Sequence, residues 1–193
     1  MIVVDASAVL SILLGEPMGE VVLRALQGGA EYGAQYGVQG SRSASASGNT
    51  GPFDQVGLPE PHPTTRPAAT LIAPDFLALE VANSVVQMRR RARRLGLEVS
   101  PNSVMGVPAE GVAEAIRSHF EVMEVTLEPF PFRLGFARVC ELSERYSLTS
   151  YDALYVAFAE QRGAHLLTLD RVMAAAAAGI GITPVIALKP DAN

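Results

Sequence analysis

The chain opens with MIVV, a β-branched run too short for a helix and apolar enough to be a strand buried on both faces. Ala8 to Leu14 and Met18 to Leu26 then read as helix, broken near Gly15 and Pro17. LIA at 71–73 predicts a second strand, and Pro74 and Asp75 open a long helix from Phe76 to Leu95 that Gly96 stops. At 3.6 residues per turn this helix sets Leu77, Val81, Val85 and Met88 on one stripe, with Glu80, Asn83, Ser84, Gln87 and Arg91 on the stripe beside it. Pro108 to Phe120 predicts helix, Val122 to Val125 strand, and Phe132 to Tyr146 helix. The segment SYDALYVAFAEQRG is apolar on almost every face, the pattern of a buried helix, and Gly163 ends it. A strand at His165 to Thr168, a short helix capped by Asp170 and running to Gly179, and a last strand at Thr183 to Ala187 complete the series. Strands separated by helices predict an α/β fold, a parallel central sheet flanked by helices in a three-layer sandwich.

The pattern is interrupted once. From 28 to 70 the chain holds 8 of its 17 glycines and 5 of its 13 prolines, a composition that cannot bury enough surface to offset its own ordering entropy, so a long flexible insertion is expected there. Residues 1–190 are otherwise read as one domain, because 193 residues at 49% hydrophobic can bury one good core and are few for two. The apolar runs are too short or too interrupted to span a bilayer, and MIVVDASAV lacks the basic start of a secretory signal. One cysteine, Cys140, admits no intrachain disulfide and is expected to be a small buried hydrophobe of a helix; a reducing cytoplasm fits that usage. A formal charge of −5 argues against non-specific nucleic-acid binding over the whole surface and leaves a local basic patch open.

Four acidic residues change the picture from fold to chemistry. Parallel sheets place ligands at the carboxyl ends of their strands, and Asp5 and Asp170 each follow a strand, while Glu80 and Asp152 lie early in helices that can reach the same rim. A carboxylate in so apolar a helix as that of Asp152 must be paired, hydrogen-bonded or metal-bound. Each acid also has a plainer reading: Asp5 and Asp170 as helix caps, Glu80 as a solvated residue, and Asp152 as a complement to the dipole of a helix capped by Ser150. Hard oxygen donors without a His or Cys cluster favour Mg²⁺ or Mn²⁺ over zinc, and His62, His119 and His165 show no ligand spacing.

In three segments the sequence resembles PIN-domain ribonucleases, and within them the VapC toxins of toxin–antitoxin pairs: IVVDASAVLSILLGEP, PDFLALEVANSV, and LTSYDALYVAFAEQRGAHLLTLD with its aspartates eighteen apart. The resemblance implies a PIN-like sandwich and a metal site of Asp5, Glu80, Asp152 and Asp170, with Asp5 and Asp170 the first choice as direct ligands. It makes Ser7 and Thr168 hydroxyl supports and Asn83 a polar neighbour. It also implies a Mg²⁺- or Mn²⁺-dependent endoribonuclease that leaves a 5′-phosphate and is neutralised by a cognate antitoxin; a homodimer is expected. The 28–70 insertion departs from the family's short link between first helix and second strand. RRRARR at 89–94 supplies cations near the end of the Glu80 helix, of which Arg90, Arg91 and Arg94 fall on or near its face and are candidate phosphate contacts; a solvated basic helix end is the plainer reading. Two other functions stay open: a non-catalytic PIN-like module that binds RNA or protein, and a phosphatase of small esters, for which Ser7 stands where the HAD type wants a second aspartate.

Overall fold

Four short strands form the centre: β1 (Ile2–Val4), β2 (Leu71–Pro74), β3 (Val125–Glu128) and β4 (His165–Leu167). They pair in the order β3-β2-β1-β4, every pair parallel, with Ile2 opposite both Leu71 and His165. The computed structural model describes residues 1–28, 69–101 and 103–185. The predicted insertion therefore lies, but for its ends, outside the described residues, as do residues 186 and 187 of the predicted last strand. The described part of that strand adds to the sheet through a parallel bridge from Pro184 to Leu166.

Seven helices connect and cover the sheet among the described residues: α1 (Ala6–Leu13), α2 (Pro17–Gly28), α3 (Leu77–Arg94), α4 (Ala109–Val122), α5 (Phe132–Tyr146), α6 (Ser150–Arg162) and α7 (Arg171–Gly179). The chain steps outward from β1 to β2 to β3 and then returns past β1 to β4; right-handed crossovers in the two directions put helices on opposite faces. On one side α6 packs on β1, β2 and β4 and is itself covered by α5 and α7, which is why Ala153 through Ala159 are all buried. On the other, α1 packs with α2, α3 and α4. The α1–α2 approach depends on Gly19, where a Cβ would sit 2.5 Å from the Ser11 carbonyl oxygen.

Ile2, Val3, Val4, Leu166 and Leu167 are fully buried, as an internal parallel strand pair requires. No single helix among the described residues is long and apolar enough to cross a membrane.

Three sequence expectations are corrected. The third strand begins at Val125, where Val122 to Val125 was expected: Val122 ends α4, Met123 and Glu124 make the turn with Glu124 at φ 53°, and the strand pairs with β2 from Leu71↔Val125 onward. The helix opened by Pro74 and Asp75 begins at Leu77, one residue past the expected Phe76, which is instead its N-cap and makes no side-chain cap hydrogen bond. Cys140 is exposed, because α5 turns Val139 and Leu142 inward and leaves the residue between them outside.

Candidate functional site

The strand order reverses between β1 and β4, so the crevice beyond their carboxyl ends is the topological switch point at which open α/β sheets hold ligands. Asp5 occupies it. Its amide donates to the Leu167 carbonyl at 3.1 Å, tying the exit of β1 to the exit of β4. Its side chain caps α1 by accepting from the Ser7 amide, and accepts from the Ser7 hydroxyl at 2.9 Å. Ser7 in turn accepts from the Leu169 amide at 2.9 Å. Thr168, buried like Asp5, bonds the Asp5 carboxylate and accepts from the Asp170 amide at 2.9 Å. The two expected hydroxyl supports are thus the two side chains that orient Asp5.

Glu80 lies in the first turn of α3 and is half-buried. Its carboxylate accepts from the Tyr155 hydroxyl at 2.8 Å, and Tyr155 is fully buried. Sequence reasoning passed over Tyr155 as one more apolar position of α6. A phenol three residues after Asp152, in a helix otherwise almost devoid of interior polar groups, was the available signal, since a buried tyrosine hydroxyl needs a partner.

Asp152 lies in the first turn of α6, partly exposed while the seven residues after it are buried. The cap of that helix is Thr149 and not Ser150: the Asp152 amide donates to the Thr149 hydroxyl at 3.2 Å, and that hydroxyl donates back to the Asp152 carboxylate at 2.7 Å. Residue 152 is thus kept in place by a reciprocal cap.

Electrostatics join three of the four acids. Burial raises the Asp5 pKa from 3.8 to about 6, against the lowering effect of Thr168 and Ser7 and with a further rise from Glu80. Burial also raises Glu80, which the Tyr155 bond lowers and Asp152 raises. The Tyr155 phenol is pushed far up by burial and by the charges of Glu80, Asp5 and Asp152. Asp5, Glu80 and Asp152 therefore share one neighbourhood, and no arginine among the described residues forms an ion pair with any of them.

Asp170 stands differently. It is exposed, and its carboxylate accepts from the Met173 amide at 2.8 Å as the cap of α7, while its amide is linked to Asp5 through Thr168. Asn83 is exposed on the next turn of α3, and no described carboxylate bonds to it. In the arginine run, Arg89 is turned inward, donating to the carbonyls of Val104, at 2.7 Å, and Val107, whereas Arg90, Arg91, Arg93 and Arg94 are exposed without ion pairs among the described residues.

Oxygen donors lacking a countercharge suit a hard divalent cation in kind. In position they fall short as they stand: among the described residues no three His, Cys, Asp or Glu side chains are close enough together to hold one ion. Glu80 is held by Tyr155 and Asp152 by Thr149, so gathering them round one ion with Asp5 takes a turn of those two side chains.

No protein-family model matches the chain, and no curated protein does. Among solved structures it is similar to the crystal structure of PAE2754 from Pyrobaculum aerophilum, at 17% identity over 95% of this chain and 90% of that one, with a TM-score of 0.48.

Proposed function

We propose that the chain is a Mg²⁺- or Mn²⁺-dependent endoribonuclease of the PIN type, acting as the toxin of a toxin–antitoxin pair. One observation carries the reading: Asp5, Glu80 and Asp152, from three separate segments, crowd their charges at the switch point of the sheet, and among the described residues no basic side chain forms an ion pair with them. Structural carboxylates are ordinarily paired or solvated, and mutual repulsion in a partly buried crevice is the usual mark of a site that awaits a cation. Each of the three family-like segments contains one of these residues, and the resemblance supports RNA as the substrate.

Asp5, Glu80 and Asp152 would hold the cation, with Asp170 at the margin. Such an ion, when bound, supplies positive charge to a phosphodiester and acidifies a water molecule for attack on phosphorus. The protein's own part is orientation: Ser7 and Thr168 fix Asp5, Tyr155 fixes Glu80 and Thr149 fixes Asp152. Arg90, Arg91 and Arg94 are free to meet phosphates of a longer RNA.

The test is incubation of the purified protein with single-stranded RNA and Mg²⁺ or Mn²⁺. Cleavage is expected, and Asp152→Asn, which weakens the hold on the cation that acidifies the attacking water, is expected to reduce it by on the order of 10²–10⁴-fold, the scale of a positioned proton-transfer contribution. In cells, wild type arrests growth and Asp152→Asn relieves the arrest. Near-wild-type cleavage by Asp152→Asn sinks the assignment. The alternative, a non-catalytic PIN-like module that binds RNA or protein, is favoured by the absence of a gathered trio of ligands among the described residues; it predicts binding in both proteins and cleavage by neither.

A further inference from the structure

Beside the acidic crevice runs a ladder of three aromatic rings. Tyr151 and Tyr155, four apart on α6 and so on one face of it, both contact Phe76, which lies in the turn between β2 and α3. The Phe76 ring meets Tyr155 edge-on at 5.4 Å between centroids and Tyr151 at 5.9 Å with 59° between planes. The inner end of the ladder is fastened, since the Tyr155 hydroxyl donates to Glu80 at 2.8 Å. Its outer end is open: Tyr151, the residue before Asp152, is 62% exposed although its ring is held by Phe76.

We propose that Tyr151 is a stacking platform for an unpaired base of single-stranded RNA, beside the acidic crevice. The role rests on the nuclease reading and adds to it how the substrate is held. Carboxylates without paired cations repel phosphate, and the exposed arginines of α3 do not offset this locally. They lie ten to fourteen residues beyond Glu80, about 15 to 21 Å along the helix at 1.5 Å per residue. Holding RNA at the crevice therefore calls for a neutral contact close to Asp152. A π-face provides one, because every base can stack on it whatever its sequence. Phe76 fixes the ring beforehand, which reduces the ordering cost of binding.

The experiment measures affinity for a fluorescein-labelled single-stranded RNA oligonucleotide in EDTA, where metal-dependent cleavage is off, alongside KM and kcat with Mn²⁺. Tyr151→Ala is expected to bind about 5- to 100-fold more weakly, the loss of one stacked base. Its KM rises with little change in kcat, as for a contact made equally in ground and transition states. Tyr151→Phe keeps the ring and stays within about twofold, whereas Tyr151→Leu keeps apolar bulk without a π-system and falls with alanine. Phe136→Ala, which removes a 54% exposed ring of α5 outside the ladder, is expected to leave affinity unchanged. Melting temperatures of all variants verify the fold. Wild-type affinity in Tyr151→Ala or Tyr151→Leu, with RNA still cleaved, overturns the stacking role and leaves the nuclease standing. A wild type that neither binds nor cuts RNA overturns both.

Discussion

On the outer surface Glu160 receives two parallel bonds from Arg138, each 2.8 Å, and the same guanidinium reaches Glu141 at 2.6 Å, while Arg162 pairs with Glu128 at 2.6 Å. At the rim of the sheet Asp5, Glu80 and Asp152 have hydroxyls for partners and one another for neighbours. The difference does not follow from a shortage of cations, since four arginines of α3 stand exposed and unpaired among the described residues. The carboxylates of Glu128, Glu141 and Glu160 are neutralised by guanidinium groups, and those of Asp5, Glu80 and Asp152 have no such countercharge among the described residues. Hydroxyl groups orient a carboxylate without cancelling its charge, which is the arrangement a cation-binding or polar ligand site needs.

The largest break in this contrast comes from Asp5→Asn. A carboxyl whose pKa rises from 3.8 unfolded to about 6 folded binds protons more tightly in the native state. Its contribution is fully present below pH 3.8 and is lost as pH rises through 6. Above that range the ionised group costs folding roughly 3 kcal/mol, at about 1.4 kcal/mol per tenfold in proton affinity. Asparagine removes the charge and is itself a good helix cap. Metal-free Asp5→Asn is therefore expected to match wild type near pH 4 and to exceed it by up to about 3 kcal/mol at pH 8, measured by urea unfolding in EDTA. A variant weaker than wild type at both pH values would mean that the lost acceptor outweighs the relieved charge.

A divalent cation is expected to relieve the same repulsion from the other side. A ligand that binds the native protein alone, at about 100 times its Kd, adds roughly 2.7 kcal/mol, so the melting temperature rises with Mn²⁺ or Mg²⁺ and the rise disappears in Asp5→Asn. An equal rise in both proteins would locate the ion elsewhere.

Much of this contrast was legible in the sequence, and the reasons it stopped short are local. MIVV and LLTLD announce buried parallel strands because neither face meets water, and their following aspartates then fall on the rim by topology alone. β3 is an edge strand with Thr126 and Leu127 exposed, so the apolar run just before it drew the expected boundary three residues early. Thr149 and Ser150 are adjacent hydroxyls, and only backbone geometry distinguishes the cap from the first helical residue. Asp170 satisfied two patterns at once, a strand-end acid and a helix cap, and its side chain adopts the cap. Tyr155 and Glu80 are separated by 75 positions, a pairing that no local pattern carries.

Tyr155→Phe sharpens the comparison at its inner end. The ring volume stays, and Glu80 loses its one side-chain donor among the described residues while keeping the repulsion of Asp152. Hydrogen bonds to charged groups contribute about 1.5–3 kcal/mol when buried, and Glu80 is half-buried and able to recruit water, so a loss of about 1–2 kcal/mol is expected by urea unfolding at pH 8. The loss is expected to shrink in the double variant Tyr155→Phe, Glu80→Gln, because a neutral amide needs the donor less. An undiminished loss would assign the effect to ring packing against Phe76.

The smallest effect belongs to the compensated surface. Arg138→Ala breaks contacts with Glu160 and Glu141 together, and the geometry is favourable, with parallel bonds and a guanidinium side chain 30% exposed. Even so, ion pairs open to solvent are screened and must hold long side chains still, and they contribute about 0.2–1 kcal/mol. Arg138→Ala is expected to cost no more than about 1 kcal/mol, to cost less as NaCl is raised toward 1 M, and to leave the Mn²⁺-dependent rise in melting temperature intact. A loss as large as the Asp5→Asn gain, unaffected by salt, would show that the surface pairs are as consequential to the fold as the crowded charges at the rim, and the contrast between the two sets of carboxylates would no longer hold.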